Sequence, residues 1–153
     1  MQSLMDNISF QIIVANPTHK VYSTQITDEM ENSAKARGTG IAKRSPAYVE
    51  TKMDEGKAVI ALTSDSKWAG FCYIEAWGHG KYVANSGLIV SPEYRKYGLA
   101  RKIKNEVFKL SRKKYPDSKI FGLTTGAAVM KINSELGYIP VSYSDLTDDN
   151  EFW

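Results

Sequence analysis

Between residues 57 and 90 the chain carries three apolar runs with almost nothing separating them. Residues 57–63, 68–77 and 81–90 are rich in β-branched and aromatic side chains, and Ser64-Asp65-Ser66 and Gly78-His79-Gly80 supply the breaks. Turns this short cannot return a chain to the end it left, so consecutive runs must pair antiparallel. This predicts a three-strand meander, and the rest of the fold has to be arranged around it.

The flanks read as helix and strand in alternation. Residues 8–15 form a strand ended by Asn16-Pro17, and residues 21–37 form a helix with Ile26, Met30 and Ala34 on one face. Gly38-Thr39-Gly40 breaks it. Ser45-Pro46 opens a second helix, with serine as cap and proline at the first helical position, and Gly56 closes it. After the meander, residues 98–114 repeat Ala100, Ile103, Val107 and Leu110 at helical spacing, and Tyr115-Pro116-Asp117 stops the run. Residues 119–125 read as a strand, 127–136 as a helix and 138–143 as a last strand. The order β-α-α-β-β-β-α-β-α-β predicts a single domain over residues 1–153. Its architecture is a three-layer α/β/α one around a central mixed, mainly antiparallel sheet.

Composition excludes several classes. The chain has one cysteine, Cys72, so an intrachain disulfide and a cysteine zinc site are both ruled out. No metal is expected. No apolar run reaches the length of a membrane span, and the first residues lack the pattern of a secretory signal, so a cytoplasmic protein is expected. A formal net charge of +3 does not argue for nucleic acid. Lysine and arginine nevertheless crowd residues 95–114, where Glu106 is the sole acid. No aromatic stacking platform interleaves those charges.

The informative segment runs from Leu88 to Arg101. An apolar strand ends at Ser91-Pro92, and a short loop leads through Arg95 to Gly98 and Ala100, where the long helix begins. Main-chain N–H groups in a first helical turn have no intrahelical partners, and the helix dipole there favours negative charge. Gly98 and Ala100 keep the loop small, while Arg95, Lys96 and Arg101 add positive charge, a combination that suits a pyrophosphate. The spacing is neither a Walker loop nor the three-glycine dinucleotide fingerprint.

The pattern Val-x-Pro-x-x-Arg-x-x-Gly-Leu-Ala from Val90 to Ala100 resembles the acetyl-CoA motif of the GNAT superfamily of N-acetyltransferases. The resemblance implies a GNAT fold and acetyl-CoA or succinyl-CoA as co-substrate. Carried over, Arg95, Lys96, Tyr97, Gly98, Leu99, Ala100 and Arg101 face the pyrophosphate, and Ile89 and Val90 offer main-chain hydrogen bonds to the pantetheine. The basic charges of residues 95–114 then sit where a CoA 3′-phosphate would lie, so no nucleic-acid partner is expected. Family members often use a tyrosine four residues before a glycine of the last helix as the acid. Here that glycine is Gly137 and the matching residue is Asn133, which can donate a hydrogen bond but not a proton. Tyr138 reads as a core residue of the last strand. Glu75 and His79 are the candidate bases, one at a strand end and one in a turn.

The second half, Phe121-Gly122-Leu123-Thr124-Thr125 and then Leu136 to Val141, is similar to the GNAT domain of N-acetylglutamate synthases, as is Lys43-Arg44-Ser45 before its helix. That similarity implies the α-amine of glutamate as acceptor and a place in arginine biosynthesis. Arg44 would meet a carboxylate, with Lys43 and Arg37 behind it, and Thr124 and Thr125 would supply hydroxyls. Two features depart from the synthases: Gly126 stands where they commonly carry arginine, and no amino-acid-kinase domain precedes this one. The alternatives are another amine, such as a polyamine, an aminoglycoside or a protein N-terminus, and a regulatory module that binds acyl-CoA without turnover. Cationic acceptors would want a carboxylate-lined pocket, which the acidic residues Asp145 to Glu151 are placed to supply. A homodimer is a further expectation from the family. Cys72 is expected to be a buried small hydrophobe, with direct attack by the amine in a ternary complex.

Overall fold

The computed structural model describes residues 8–38 and 44–122. Within them lie five strands and three helices: β1 (Phe10–Val14), α1 (Ser23–Arg37), α2 (Pro46–Asp54), β2 (Ala58–Thr63), β3 (Trp68–Trp77), β4 (Tyr82–Val90), α3 (Leu99–Lys114) and β5 (Lys119–Gly122). The sheet runs in the order β1-β2-β3-β4-β5. Its first four strands are antiparallel to their neighbours, and β5 lies parallel to β4. The meander is therefore present, and the mixed character of the sheet comes from the α3 crossover. The helix and strand expected over 127–143 lie outside the described residues.

Alternation along β2 divides the molecule into layers. Val59 and Ala61 join a cluster with Leu99, Ile103, Val107 and Leu110 of α3, whereas Ala58, Ile60 and Leu62 join Ile26 of α1 and Val49 and Met53 of α2. Successive side chains of a strand point to opposite faces, so α3 covers one face and α1 with α2 the other. Ile26 and Ala34 are buried as the spacing of α1 requires. In α3 the stripe begins one residue early: Leu99 is fully buried and Ala100 half-buried, because Gly98 starts the helix and directs its first residue inward.

Two local corrections to the sequence reading are 3-10 turns. A 3-10 turn over Pro17–Tyr22 occupies the first part of the expected 21–37 helix, with Asn16 accepting from the Thr18 N–H and its own N–H donating to His19 Nδ1 at 3.0 Å. A second 3-10 turn, Pro92–Tyr97, stands where a plain loop was expected before α3. The Ser45 cap forms as expected, its hydroxyl accepting from the Tyr48 N–H at 3.1 Å, and Gly56 closes the helix as expected, with φ 66° and its N–H donating to the Met53 carbonyl at 3.2 Å.

β3 and β4 are out of step at one point. Phe71 pairs with Ile89 and Tyr73 with Ser86, so β4 carries an extra residue between them. This is a β-bulge, and Gly87 within it has φ 66°. A Cβ at Gly87 would lie 2.3 Å from Cε1 of Tyr73, whose ring fills the place a side chain would take. Gly87→Ala is expected to destabilise the fold by about 3 kcal/mol, combining the left-handed backbone cost with overpacking. Urea unfolding would measure it, and the loss should shrink in a Tyr73→Ala background, where the backbone cost alone remains.

Candidate active site

The bulge and the end of β4 set up one side of the site. Beyond the bulge the Ser91 N–H donates to the Ala69 carbonyl at 2.8 Å, which makes 69/91 and 71/89 the hydrogen-bonded pairs of the ladder. The Ile89 carbonyl accordingly lies against β3, 3.2 Å from where a Cβ on Gly70 would stand. Main-chain groups of Leu88 and Val90 then point to the other edge, which has no strand partner among the described residues beyond Asn85. Of the two residues expected to offer main-chain bonds outward, Val90 directs its N–H to that edge while its carbonyl accepts from Arg95, and Ile89 faces β3. Leu88, which the sequence reading passed over, takes that role by simple alternation.

At the end of β4 the 3-10 turn leads to Gly98, with φ 72° and nothing within 4 Å of a would-be Cβ. No side chain caps α3, and its first internal bond is donated by Lys102 to the Gly98 carbonyl. The N–H groups of Leu99 and Ala100 stand in the first turn of a 16-residue helix, where no intrahelical acceptor precedes them, and Lys96 and Arg101 are exposed beside them. Two expected contributors turn elsewhere. Tyr97 packs its ring on Phe10 at 5.2 Å, so its main chain alone borders the turn. Arg95 reaches back to α1, donating to Glu29 at 3.0 Å, to Ser33 at 3.2 Å and to the Val90 carbonyl at 3.4 Å.

The face under α1 and α2 holds a charged cluster. Arg44 Nε donates to the Tyr73 hydroxyl, and its guanidinium lies 5.5 Å from that ring's centre. Lys52 Nζ donates to Glu75 Oε2 at 3.3 Å, and stands 5.4 Å and 5.8 Å from the ring centres of Tyr48 and Tyr73. The two rings meet edge-on at 5.8 Å. Burial pushes the Glu75 carboxyl above the ordinary carboxylate range, with nearby Arg44 pulling it back, and burial lowers the Lys52 ammonium. Glu75 is thus a half-buried carboxylate that favours proton uptake more than a surface one. His79, the other candidate base, is exposed at the hairpin tip, at the far end of β4 from Gly98. The structure does not bring it to the site.

A family model described as acetyltransferase (GNAT) family matches residues 27–128. The chain belongs to that family. Solved structures agree on the fold of this GNAT acetyltransferase. A GNAT acetyltransferase from Staphylococcus aureus Mu50 is 15% identical over 91% of this chain and 90% of its own, with TM-score 0.70. N-acetylglutamate synthase from Neisseria gonorrhoeae, solved with coenzyme A and N-acetylglutamate, is 17% identical over 92% of this chain, with TM-score 0.69. This chain spans 30% of that synthase's length. A predicted acetyltransferase from Clostridium acetobutylicum, solved with acetyl-CoA, is 11% identical over 89% of this chain and 92% of its own, with TM-score 0.64. Curated proteins gave no match.

For this GNAT acetyltransferase the sequence reading missed Tyr48, Lys52 and Tyr73. Their signal was periodicity: Tyr48 and Lys52 are four apart on α2, and Tyr73 and Glu75 two apart on β3. It also missed an acidic cleft between α1 and the end of β4, lined in part by Asp28, Glu29 and Glu93. Lys43, Thr124, Thr125, Asn133 and Tyr138 lie outside the described residues. Among the described residues no group of three His, Cys, Asp or Glu is placed to hold a metal, and no helix is long and apolar enough to cross a membrane.

Cys72 is fully buried on the α3 face and donates to the Ser86 carbonyl at 3.3 Å. Burial pushes its thiol up to about 11, so the thiolate needed for nucleophilic attack is scarce at neutral pH. Cys72→Ala is expected to keep acetyl transfer within about threefold of wild type while costing stability of about 1 kcal/mol. Thiol release and thermal unfolding on the same preparation check both.

Proposed function

We propose that this GNAT acetyltransferase moves an acyl group from acetyl-CoA or succinyl-CoA to a small amine bearing a carboxylate, with the α-amine of glutamate as the first candidate. The observation that carries the co-substrate half is the uncapped start of α3 beyond Gly98, at the end of a strand whose outer edge is open. The first-turn N–H groups and a left-handed glycine with space above it fit a pyrophosphate. Leu88 and Val90 fit an amide-bearing arm laid along the strand. Lys96 and Arg101 supply charge beside the turn.

The acceptor half rests on the cluster across the sheet. Arg44 presents a guanidinium held in orientation by Tyr73, suited to a carboxylate. Glu75 accepts the proton that the acceptor's ammonium must lose, directly or through a water. The neutral amine attacks the thioester carbonyl carbon; the C–N bond forms, the C–S bond breaks, and the sulfur takes up a proton. Donors aimed at the carbonyl oxygen in that step belong on the open edge of β4. Asn133 stands where the family often has its acid and cannot supply that proton, so it comes from water or another group. Thr125 is assigned to the acceptor by resemblance alone. That the chain acts as one domain, as a homodimer, in the cytoplasm and in arginine biosynthesis belongs to the same proposal.

A second reading draws on the acidic cleft. Asp28, Glu29 and Glu93 give a cationic acceptor such as a polyamine a place to bind beside the same strand end. Thiol release from acetyl-CoA and succinyl-CoA against L-glutamate and a polyamine decides between them. Turnover on glutamate with KM raised about tenfold or more in Arg44→Ala is the expected result, the size following from one lost charge-assisted hydrogen bond. Turnover on the polyamine alone would reject the glutamate assignment. Gly98→Val is expected to weaken CoA binding at least tenfold in calorimetry, because a β-branched residue resists the left-handed backbone and fills the space over the turn. Unchanged binding would reject the pyrophosphate site.

A further inference from the structure

We propose that Lys52 is a positioning residue for acyl transfer, clamping the Glu75 carboxylate and keeping it ionised until it takes the acceptor's proton. The inference rests on the reading of Glu75 as base and adds a residue that lies outside the motif.

The placement of Lys52 is hard to explain as surface chemistry. Its side chain is 10% exposed, and it is the one cation of α2. It is held by three contacts at once: the Glu75 carboxylate and the faces of Tyr48 and Tyr73. Those rings replace part of the water a buried ammonium loses. Tyr73 in turn is fixed from below by Gly87 in the bulge and from above by Arg44. Lys52 therefore reads the position of the strand edge through Tyr73 and passes it to Glu75.

Of the other charges around Glu75, Arg44 also favours its ionised form, but through space. From the segment before α2 comes Arg44, which is committed to Tyr73. On β3 itself the neighbour on the same face is the Tyr73 phenol. Across the sheet β4 presents the uncharged Ala84, and before β2 the chain offers Gly56 and Lys57, whose ammonium turns to Glu55 at 3.1 Å. Lys52 is the cation within salt-bridge distance of Glu75 among the described residues. Without it, a half-buried carboxylate faces the acceptor with Arg44 as its remaining cationic neighbour, and it protonates at higher pH.

The test is the pH dependence of kcat/KM in thiol release, using the full chain, acetyl-CoA and L-glutamate, or the polyamine if that turns over instead. Lys52→Met should move the acid limb up by about one pH unit, with Lys52→Arg near wild type. Lys52→Gln, which keeps a donor but no charge, should show the same upward move and serves if the methionine variant does not fold. Glu75→Gln should lose the limb and most of kcat. A Glu75→Gln enzyme without the limb, beside a Lys52→Met enzyme with an unmoved one, would overturn the role of Lys52 and leave the base in place. A Glu75→Gln enzyme with wild-type rate and limb would overturn both, as would silence with every amine.

Discussion

Much of the architecture hangs on Gly87 having no side chain. The Tyr73 ring occupies that space, and the two together hold the bulge that puts β4 out of step with β3. A bulge changes which main-chain groups face which way. Here its downstream register turns Ile89 toward β3 and leaves Leu88 and Val90 on the open edge. Remove the glycine and the ring must leave, taking with it the contact to Arg44 and one wall around Lys52. A single backbone irregularity thus connects the strand edge on one side with the charged cluster on the other.

The two halves of the site deal with charge in opposite ways. At the start of α3 positive potential comes from unpaired N–H groups and exposed Lys96 and Arg101, a setting in which charge stays hydrated until a ligand arrives. Under α2 the charges are already partly desolvated and already paired. Buried pairs gain little net stability, since the cost of removing water offsets most of the attraction. Their retention is therefore better explained by what they orient than by what they stabilise. Arg95 stands between the two cases: half-exposed, and tied to Ser33 and to Glu29, which also lines the acidic cleft.

The meander and the α3 stripe were legible in the sequence because period and turn length act locally. So was the Gly98 turn, whose requirement for a small residue with positive φ is written in one position. What escaped was set by register. Nothing in Leu88-Ile89-Val90 says which carbonyl faces outward, because the bulge shifts the count and is not marked by residue type alone. Tyr97 and Arg95 were expected at the phosphate turn from the family motif, yet Phe10, far earlier in the chain, captures one and Glu29 captures the other. Long-range partners of this kind leave no local trace. Lys52 was hidden for the same reason: a lysine on a short helix reads as solvent-facing until the opposing strand is known.

The Lys52–Glu75 pair also bears on why two tyrosines stand beside it. A carboxylate alone can hold an ammonium, but in a half-buried setting the pair is free to neutralise by passing the proton between partners. Burial favours exactly that, raising the carboxyl and lowering the ammonium. Ring faces oppose it, because they attract the charged lysine and not the neutral one. Tyr48 and Tyr73 thereby favour a charged Lys52, and a charged Lys52 favours a charged Glu75. Arg44, acting on Glu75 through space and on Tyr73 through its hydroxyl, pushes in the same direction. The base is kept empty of its proton by a set of neighbours of which Lys52, Tyr48 and Tyr73 need not touch the acceptor, which leaves the carboxylate itself free to do so.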